Sequence, residues 1–403
     1  MEPLLFLAHR IPYPPNKGDK SRSYHLLRFL ASRYRIHLGT FVDDSSDLQY
    51  VPKLRDYCAS VNVVAIAPAV ARLKSLRGLA TGEPLTLAYY RDASMMRWVR
   101  STVAAHRIAK VLVFSSAMAQ FIDDLPGLRV VVDFVDVDSA KWKQYGSLRP
   151  WPLSLLFQRE GQRLLEFERA VSRRTAASVF VTPNEAALFC ALAPECAPRV
   201  HHAQMGVDSE FFSPDHTFPT PYGADEQPIV FTGTMDYWPN IDAASWFARD
   251  VLPLITSRRP EARFYIVGMN PPGDVQALSR ERAIVVTGRV PDVRPFLQHA
   301  RVVVAPLRVA RGIQSKALEA MAMGRPVVVS AAAAASISGT PGRDFAAAET
   351  APEFASRVLE LMEPARGAAM GAAARQRTVK DYDWTTNLAP FEQFLCEPMR
   401  CAG

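Results

Sequence analysis

Short apolar runs rich in valine and isoleucine recur through the first two hundred residues and alternate with segments of helical periodicity. Continuous apolar runs of this length predict buried parallel strands. Strands alternating with helices favour an α/β fold with a doubly wound parallel sheet. The predicted strands cover residues 4–8, 36–41, 61–67, 110–116, 129–136 and 177–183. After the first strand, we expect a loop over residues 9–22 and a helix over 23–33.

A second series of apolar runs begins at Pro228. Three of its five predicted strands run directly into glycine, which permits a tight turn and the close approach of a ligand at the carboxyl edge of a sheet. The stretch 198–228 between the two series is rich in proline and lacks periodicity, so we place a hinge there. The predicted strands of the second series cover residues 228–233, 263–268, 283–288, 301–306 and 326–330.

Length and charge narrow the class of protein. A chain of 403 residues is long enough for two or three domains, each with its own core. With 49% hydrophobic and 22% charged residues, the balance is that of a globular protein. The net charge of +7 suits a nucleotide-sugar donor, an anionic membrane surface or a nucleic acid. Because the basic residues are scattered and no nucleic-acid-binding motif is present, we expect no nucleic-acid partner.

Cysteine usage and hydropathy predict the compartment. The five cysteines form no tight metal pair, and their odd number fits a reducing environment. The first fifteen residues contain only a short apolar run with no small-residue cleavage site, which is typical of a first strand. No stretch approaches about 20 uninterrupted apolar residues. We therefore expect a cytoplasmic protein that contacts the inner face of the membrane at most peripherally.

The segment 302–330 carries the clearest candidate chemistry. Its pattern is strand, glycine-containing loop, helix, Gly-Arg-Pro turn and strand. Gly312 precedes the helix, and a helix N-terminus presents free N–H groups to anions. Lys316 and Glu319 are three residues apart and therefore share a helix face. A cation, free N–H groups and a carboxylate together suit a nucleotide diphosphate and its ribose hydroxyls.

This segment resembles the donor-site signature of family 4 retaining glycosyltransferases. In that family the glutamate before Ala-Met-Ala-x-Gly-x-Pro-Val-Val binds the nucleotide ribose, and Glu319 occupies this position. Residues 231–247, 286–306 and 205–214 also match family segments, the last with Met205 in place of the usual asparagine. More narrowly, the pattern is similar to a bacterial group of sugar transferases associated with exopolysaccharide and PEP-CTERM/exosortase systems.

The resemblance implies a GT-B architecture, in which two Rossmann-like, doubly wound parallel-sheet domains face a central cleft. We expect an acceptor-binding domain over residues 1–203 and an interdomain linker over 204–228. A donor-binding domain is expected over 229–375. Residues 376–403 would form a C-terminal helix that crosses back to the first domain, with Trp384 as a plausible anchor.

The resemblance also implies a set of donor-site residues. Arg311 stands eight positions before Glu319, where the family commonly has a glutamate directed at the donor sugar. Arginine suits phosphate oxygens, so Arg311 is either a diphosphate ligand or a surface residue. Lys316 would neutralise the departing diphosphate, and the alternative is an intrahelical pair with Glu319. The remaining donor-binding candidates are Gly233, Arg289, Val290, Gly312, Ile313, Gln314 and Ser315.

On the acceptor side, residues 14–22 resemble the loop that approaches the transferred sugar. Gly18 would permit close approach, and Asp19 lies beside it. Lys20 and Arg22 are candidates to contact an anionic lipid diphosphate. Asp136 best matches the polar cleft residue of the family and completes the catalytic set with Lys316 and Arg311; the alternative is a strand-end helix cap. The family binds its donor without a dedicated metal, so we expect no metal and no other cofactor.

The predicted function is transfer of a sugar, with retention of configuration, from a UDP- or GDP-linked donor to a lipid-linked or polysaccharide acceptor. Two alternatives remain open from the sequence: a sugar-nucleotide epimerase of the same fold, and a non-catalytic protein that binds nucleotide sugars. The segments 71–79 and 148–157 mix bulky apolar and basic residues, as interfacial segments do. They either contact a membrane or pack in the interdomain cleft.

Overall fold

The apolar runs of the first series pair side by side in register, as predicted. The structure is a computed structural model that describes residues 1–147, 149–310 and 312–396. Within these residues, seven parallel strands form one sheet in the order β3-β2-β1-β4-β5-β6-β7. The five inner strands are nearly continuous in buried residues because helices cover both faces of such a sheet, whereas the two edge strands are only partly buried. The strands are β1 Glu2–Ala8, β2 Tyr34–Val42, β3 Cys58–Ala65, β4 Lys110–Phe114, β5 Arg129–Val135, β6 Ala177–Phe180 and β7 Val200–His202.

Helices connect these strands and bury their apolar faces against the sheet. The core of this unit includes Leu5, Val113, Val132 and Phe180, all fully buried. The helices are α1 Gly18–Ala31, α2 Val51–Leu54, α3 Pro68–Ser75, α4 Arg77–Thr81, α5 Leu85–Tyr90, α6 Ala93–His106, α7 Asp138–Ser147, α8 Leu153–Arg174 and α9 Pro183–Leu192.

Helix α1 begins five residues earlier than the sequence predicts, at Gly18. The prediction of a loop through residue 22 was wrong because the first turns of the helix are polar and carry no apolar periodicity. Their polar side chains are nevertheless buried, since two internal ion pairs compensate them. Lys20 Nζ lies 2.9 Å from Asp47 Oδ2. Arg22 Nε lies 2.7 Å from Asp133 Oδ2.

The second series forms a separate sheet of the same kind. Within the part of the chain that the structure describes, its six parallel strands follow the order β10-β9-β8-β11-β12-β13. They are β8 Gln227–Thr232, β9 Ala262–Val267, β10 Ile284–Gly288, β11 Val302–Ala305, β12 Val327–Ser330 and β13 Ala346–Ala348. The helices are α10 Trp238–Trp246, α11 Leu252–Thr256, α12 Gly273–Gln276, α13 Arg294–Gln298, α14 Ser315–Ala322, α15 Ala331–Ala334, α16 Ala351–Met362 and α17 Pro364–Asp381.

The chain thus divides into two compact units, Met1–Gln204 with the residues from Thr385 onward, and Met205–Trp384. The chain returns to the first unit through helix α18, Trp384–Cys396. Glu392 on this helix lies 2.7 Å from Arg33 Nε, and the Phe394 carbonyl accepts a hydrogen bond from Arg129 Nε at 2.7 Å. At its start, Trp384 packs on Gly206 of the second unit so closely that a Cβ there would lie 2.5 Å from the indole.

Candidate functional site

The predicted donor residues gather at one edge of the second sheet. Strand β8 lies between β9 and β11, so the direction of winding reverses between β8 and β11. Ligands of open α/β sheets bind outside the carboxyl ends of the strands at such a reversal. Gly233 directly follows β8, and the loop after β11 leads into α14. The sheet topology alone therefore marks this edge as a ligand site.

Two glycines bring the backbone close together at this edge. Gly233 N–H donates a hydrogen bond to the Val267 carbonyl at 3.0 Å. A Cβ on Gly268 would lie 1.7 Å from the Gly233 carbonyl oxygen, so a side chain cannot be accommodated there. A Cβ on Gly233 would meet the side-chain amide of Asn240 at 2.9 Å and Cε of Lys316 at 3.4 Å. The turn after β8 is thus packed directly against the predicted cation.

Lys316 is held at this edge by a neighbour that the sequence did not indicate. Its Nζ donates a hydrogen bond to Asn240 Oδ1 at 3.2 Å and lies 5.6 Å from the centroid of the Phe231 ring. Asn240 is buried and anchored in turn, because its Nδ2 donates to the Thr234 carbonyl at 2.9 Å. Burial lowers the pKa of Lys316 to about 8, against the opposing effect of the Glu319 charge. The ammonium is therefore positioned, partly desolvated and sensitive to pH.

Glu319 lies one turn further along α14 and is partly buried. Burial raises the pKa of Glu319 to about 7, and the charge of Lys316 opposes this shift. Within the described residues, its carboxylate has no hydrogen-bond or ion-pair partner, and Lys316 donates to Asn240 instead. The alternative of an intrahelical Lys316–Glu319 ion pair is therefore not formed. A desolvated carboxylate without a protein partner can accept hydrogen bonds from a ligand.

The other predicted donor residues lie after strands β10 and β11, at the same edge of the second sheet. Gly312 is buried with φ of 60°, a left-handed conformation that favours glycine. Ile313 follows it, Gln314 is the residue that precedes α14, and Ser315 is the first residue of that helix. Gly288, the last residue of β10, turns the chain with φ of 67°. The exposed Arg289 contacts Met269 Sδ at 3.7 Å, and Val290 is partly buried. Arg311 lies outside the described residues.

A second cluster of polar side chains lies at the carboxyl edge of the first sheet, where the winding reverses between β1 and β4. Asp136 directly follows β5, one residue beyond the observed end of the strand, whereas the sequence predicts it as the last residue of that strand. Its Oδ1 is buried with no hydrogen-bond partner in the described residues, and its Oδ2 lies 3.4 Å from Lys141 Nζ. Val135 just before it has φ of 67°, a strained conformation for a β-branched residue. Strain beside an unpaired buried oxygen is typical of a functional position.

His9 and Asp19 join this first-sheet cluster. His9 follows β1, stacks on Phe114 with ring centroids 5.7 Å apart, and places Nε2 3.4 Å from Asp19 Oδ2. Arg10 Nη1 lies 2.6 Å from the same oxygen. Burial by itself would raise the pKa of Asp19, but the His9 hydrogen bond and the Arg10 charge outweigh it and hold that pKa below its usual range. Gly18 and Asp19 thus lie on the first turn of α1 rather than in a loop.

Lys20 and Arg22 do not belong to this cluster. Both side chains are buried and form internal ion pairs with Asp47 and Asp133, as described above. Their nitrogens are therefore unavailable to a lipid diphosphate, and that interpretation of the two residues was wrong. Sequence reasoning could not detect their partners, which lie 27 and 111 positions away along the chain.

The sequence reasoning also missed two residues, His9 and Asn240. A histidine at the carboxyl end of a first strand and a buried asparagine in the first turn of a helix are the signals that could have indicated them. Among the described residues, no group of three or more His, Cys, Asp or Glu side chains is arranged to hold a metal ion. No described helix combines the length and the apolar character that crossing a bilayer requires.

Comparison with known proteins supports this picture of the second sheet. Residues 226–364 match the family described as glycosyl transferases group 1. No curated protein matches the chain in sequence. The matched region includes Gly233, Asn240, Lys316 and Glu319, so the candidate donor edge lies entirely within the part of the chain that resembles this family.

Solved structures resemble the chain over nearly its whole length. A sucrose-phosphate synthase from Thermosynechococcus elongatus is 15% identical, covers 98% of both chains and has a TM-score of 0.72. Anabaena HepE in complex with UDP-glucose is 14% identical, covers 98% of this chain and 99% of its own, and has a TM-score of 0.66. WaaG, a glycosyltransferase involved in lipopolysaccharide biosynthesis, is 16% identical, covers 98% of this chain and 100% of its own, and has a TM-score of 0.68. The predicted GT-B fold of two parallel-sheet domains is confirmed.

Proposed function

We propose that this protein transfers a sugar from a nucleotide-diphosphate donor to a lipid-linked or polysaccharide acceptor, with retention of configuration at the sugar. The main support for this proposal is the position of Lys316 and Glu319. Both lie where the winding of the second sheet reverses, between β8 and β11, and inside the region that matches the glycosyltransferase family. A cation beside an unpartnered carboxylate at this position supplies the two charges that a nucleotide diphosphate and its ribose require.

Each donor residue has a distinct role in this proposal. Glu319 accepts hydrogen bonds from the ribose hydroxyls. Lys316 and the N-terminus of α14 hold the diphosphate, and the lysine stabilises the negative charge that grows as the sugar leaves. The backbone around Arg289 and Val290 meets the base. Because these groups meet the charge of the diphosphate themselves, we propose that the donor binds without a metal ion.

The residues of the first-sheet cluster bind the acceptor in this proposal. The buried Asp136 Oδ1 can accept a hydrogen bond from an acceptor or sugar hydroxyl, and Asp19 stays ionised beside His9 and Arg10. In retaining chemistry on one face of the sugar, the departing diphosphate itself takes the proton of the attacking hydroxyl. The first-sheet residues would then orient the reactants rather than act as a general base.

We also propose a pathway and a cellular location for this reaction. We place the protein in exopolysaccharide biosynthesis, with the PEP-CTERM-associated sugar transferases, at the inner face of the membrane. UDP-linked donors come first for testing, because the structural neighbour HepE binds UDP-glucose. GDP-linked donors follow from the motif resemblance.

A panel of UDP-, GDP- and dTDP-sugars separates the proposal from its alternatives. A ligand that binds only the folded protein raises its melting temperature, so thermal shift selects the donor. Incubation of that donor with lipid-linked acceptors then gives one of three results. A glycosylated acceptor supports transfer, an altered nucleotide sugar supports epimerisation, and binding without turnover supports a non-catalytic protein.

Substitution of Glu319 by glutamine should weaken donor binding without unfolding the protein. Hydrogen bonds to a charged group contribute about 1.5–3 kcal/mol, which corresponds to a loss of roughly 10- to 150-fold in affinity. Isothermal titration with UDP-glucose measures this loss. The matched control is Glu281→Gln, an exposed glutamate of the same unit. Equal affinities of wild type and Glu319→Gln would refute the ribose assignment.

Donor binding should be strongest between pH about 7 and about 8, the values to which burial moves the pKa of Glu319 and of Lys316. Below this window Glu319 is protonated and loses acceptor capacity, and above it Lys316 loses its charge. Each limb should fall by up to about tenfold per pH unit. UDP-glucose is the suitable ligand, because both of its phosphates are already ionised throughout the range. Glu319→Gln should flatten the acidic limb and Lys316→Met the alkaline limb; a wild-type profile without either limb would contradict the pairing.

A further inference from the structure

A patch of bulky apolar side chains lies exposed on the first unit, and we call it the α3–α8 surface. Its most exposed members are Trp151 at 78%, Leu73 at 71% and Leu155 at 62% of their full accessible areas. Leu76 and Leu79 extend it along α3 and α4. Single exposed apolar residues are normal, but five large ones on two segments that contact each other mark an interaction site.

Helices α3 and α4, which form half of this surface, turn small residues toward the core and bulky apolar residues outward. An ordinary surface helix does the opposite. The buried positions of α3 and α4 hold the small residues Ala71, Ser75 and Gly78, spaced four and three apart on one face. Their leucines point to solvent instead. A soluble helix normally turns its bulky apolar residues toward the core. Part of each leucine, 71% of the full area for Leu73 and 46% for Leu76 and Leu79, stays in water in the folded protein, and contact with another apolar phase would bury it.

The two halves of the surface adjoin each other. Arg159 on α8 donates a hydrogen bond from Nη2 to the Gly78 carbonyl at 2.6 Å. Leu155 lies one turn before Arg159 and so shares its helix face. Nearby, the buried Glu160 accepts hydrogen bonds from the backbone N–H groups of Leu85 and Thr86 at 2.7 and 2.9 Å. These contacts join α4 and the start of α5 to the first half of α8.

The α3–α4 half of this surface carries charge of a single sign. Residues 68–81 contain three basic residues, Arg72, Lys74 and Arg77, and no acidic residue. All three side chains are exposed among the leucines. Basic residues interspersed with Leu and Trp form the composition of segments that lie in the headgroup region of a bilayer, where Trp favours the interface. Anionic lipid headgroups complement this charge.

The α3–α8 surface lies near the same edge of the first sheet as the first-sheet cluster. Helix α3 starts three residues after β3 ends, and α7 starts three residues after β5 ends, so both leave the carboxyl edge of the first sheet. Helix α8 returns toward the amino edge and ends just before β6. Its length of about 33 Å exceeds that of the strands, so its beginning at Leu153 extends beyond the carboxyl edge. The surface and Asp136 therefore lie at the same edge of one sheet.

We propose that the α3–α8 surface binds an anionic lipid bilayer, with Leu73 and Trp151 entering the headgroup region and Arg72, Lys74 and Arg77 contacting lipid phosphates. The bilayer contact itself does not depend on the reaction. The consequence that a lipid-linked acceptor reaches the first-sheet cluster from the membrane rests on the proposed function.

Co-sedimentation of the full chain with vesicles tests this surface. Vesicles of 70% phosphatidylcholine and 30% phosphatidylglycerol should bind the wild type, and pure phosphatidylcholine vesicles should bind it at least tenfold more weakly. Leu73→Glu/Trp151→Glu should lose at least tenfold in binding. Substitution of the three basic residues by glutamine should lose roughly 100-fold, at about fivefold per charge. The matched control is Leu254→Glu/Val379→Glu, which places the same charges at exposed apolar positions of the second unit.

Three outcomes would overturn the proposal. These are no binding of the wild type to anionic vesicles, equal binding of the wild type and Leu73→Glu/Trp151→Glu, and self-association of the wild type that this variant abolishes without any vesicle binding. Thermal shift with UDP-glucose on the same preparations separates this test from that of the proposed function. A nucleotide shift without vesicle binding refutes only the bilayer surface, and vesicle binding without a nucleotide shift refutes only the donor site.

Discussion

Substitution of Lys316 by methionine should lower the rate of sugar transfer by about 100- to 1000-fold, the effect of removing one preorganised group that stabilises developing charge. The lysine is held by Asn240 against the turn at Gly233, so its ammonium is in place before the reaction. Negative charge on the diphosphate grows as the glycosidic bond breaks. The affinity for UDP-glucose should therefore fall less than the maximal rate does.

Steady-state kinetics with the donor identified by thermal shift measure this difference. Lys380→Met, which removes an exposed lysine from α17, is the matched control and should leave both parameters unchanged. Equal losses in donor affinity and in overall catalytic efficiency would make Lys316 a simple binding residue. Unchanged kinetics would exclude it from the site.

Substitution of Arg22 by methionine should destabilise the first unit by about 3–5 kcal/mol, because it leaves the buried Asp133 without its ion partner. Arg22 contacts both carboxylate oxygens of Asp133, at 2.7 and 3.2 Å, and donates to the Gln204 carbonyl at 3.3 Å. Burial already raises the pKa of Asp133, against the Arg22 charge and hydrogen bond that lower it. Without the arginine, that carboxyl should be neutral at pH 7.

Urea unfolding followed by near-UV circular dichroism measures the loss. The double substitution Arg22→Met/Asp133→Leu should recover much of it, since replacing both partners of a buried pair is often close to neutral. Lys53→Met, which breaks the exposed pair with Asp56, should change stability by no more than about 1 kcal/mol. A loss of that small size for Arg22→Met would show that the buried pair contributes little to the fold.

Most of the parallel strands were predictable because valine-rich runs leave few alternatives. Strands β11 and β12, which contain consecutive valines, were predicted almost to the residue. Strands β7 and β13 were not predicted. Their sequences, Val-His-His and Ala-Ala-Ala, are short and carry no strand pattern, so only pairing with β6 and β12 defines them.

The donor site was predictable for a different reason, because its signal is local. Gly312, Lys316 and Glu319 lie within eight residues, and a single loop and helix bring them together. Asn240 reaches Lys316 from 76 positions away, and His9 reaches Phe114 at the end of the neighbouring strand β4, which is distant along the chain. Neither contact leaves a trace in the local pattern. The error over Lys20 and Arg22 has the same origin, since basic residues in a glycine- and proline-rich stretch suggest an exposed loop unless distant acids bury them.

A crystal structure of the protein with UDP tests most directly whether Glu319 and Lys316 hold a nucleotide diphosphate where the winding of the second sheet reverses. We expect the ribose hydroxyls within hydrogen-bonding distance of the Glu319 carboxylate. The diphosphate should lie beside Lys316 at the N-terminus of α14, with Gly233 lining its path. A nucleotide bound at another edge, or at this edge with its ribose turned away from Glu319, would contradict the account.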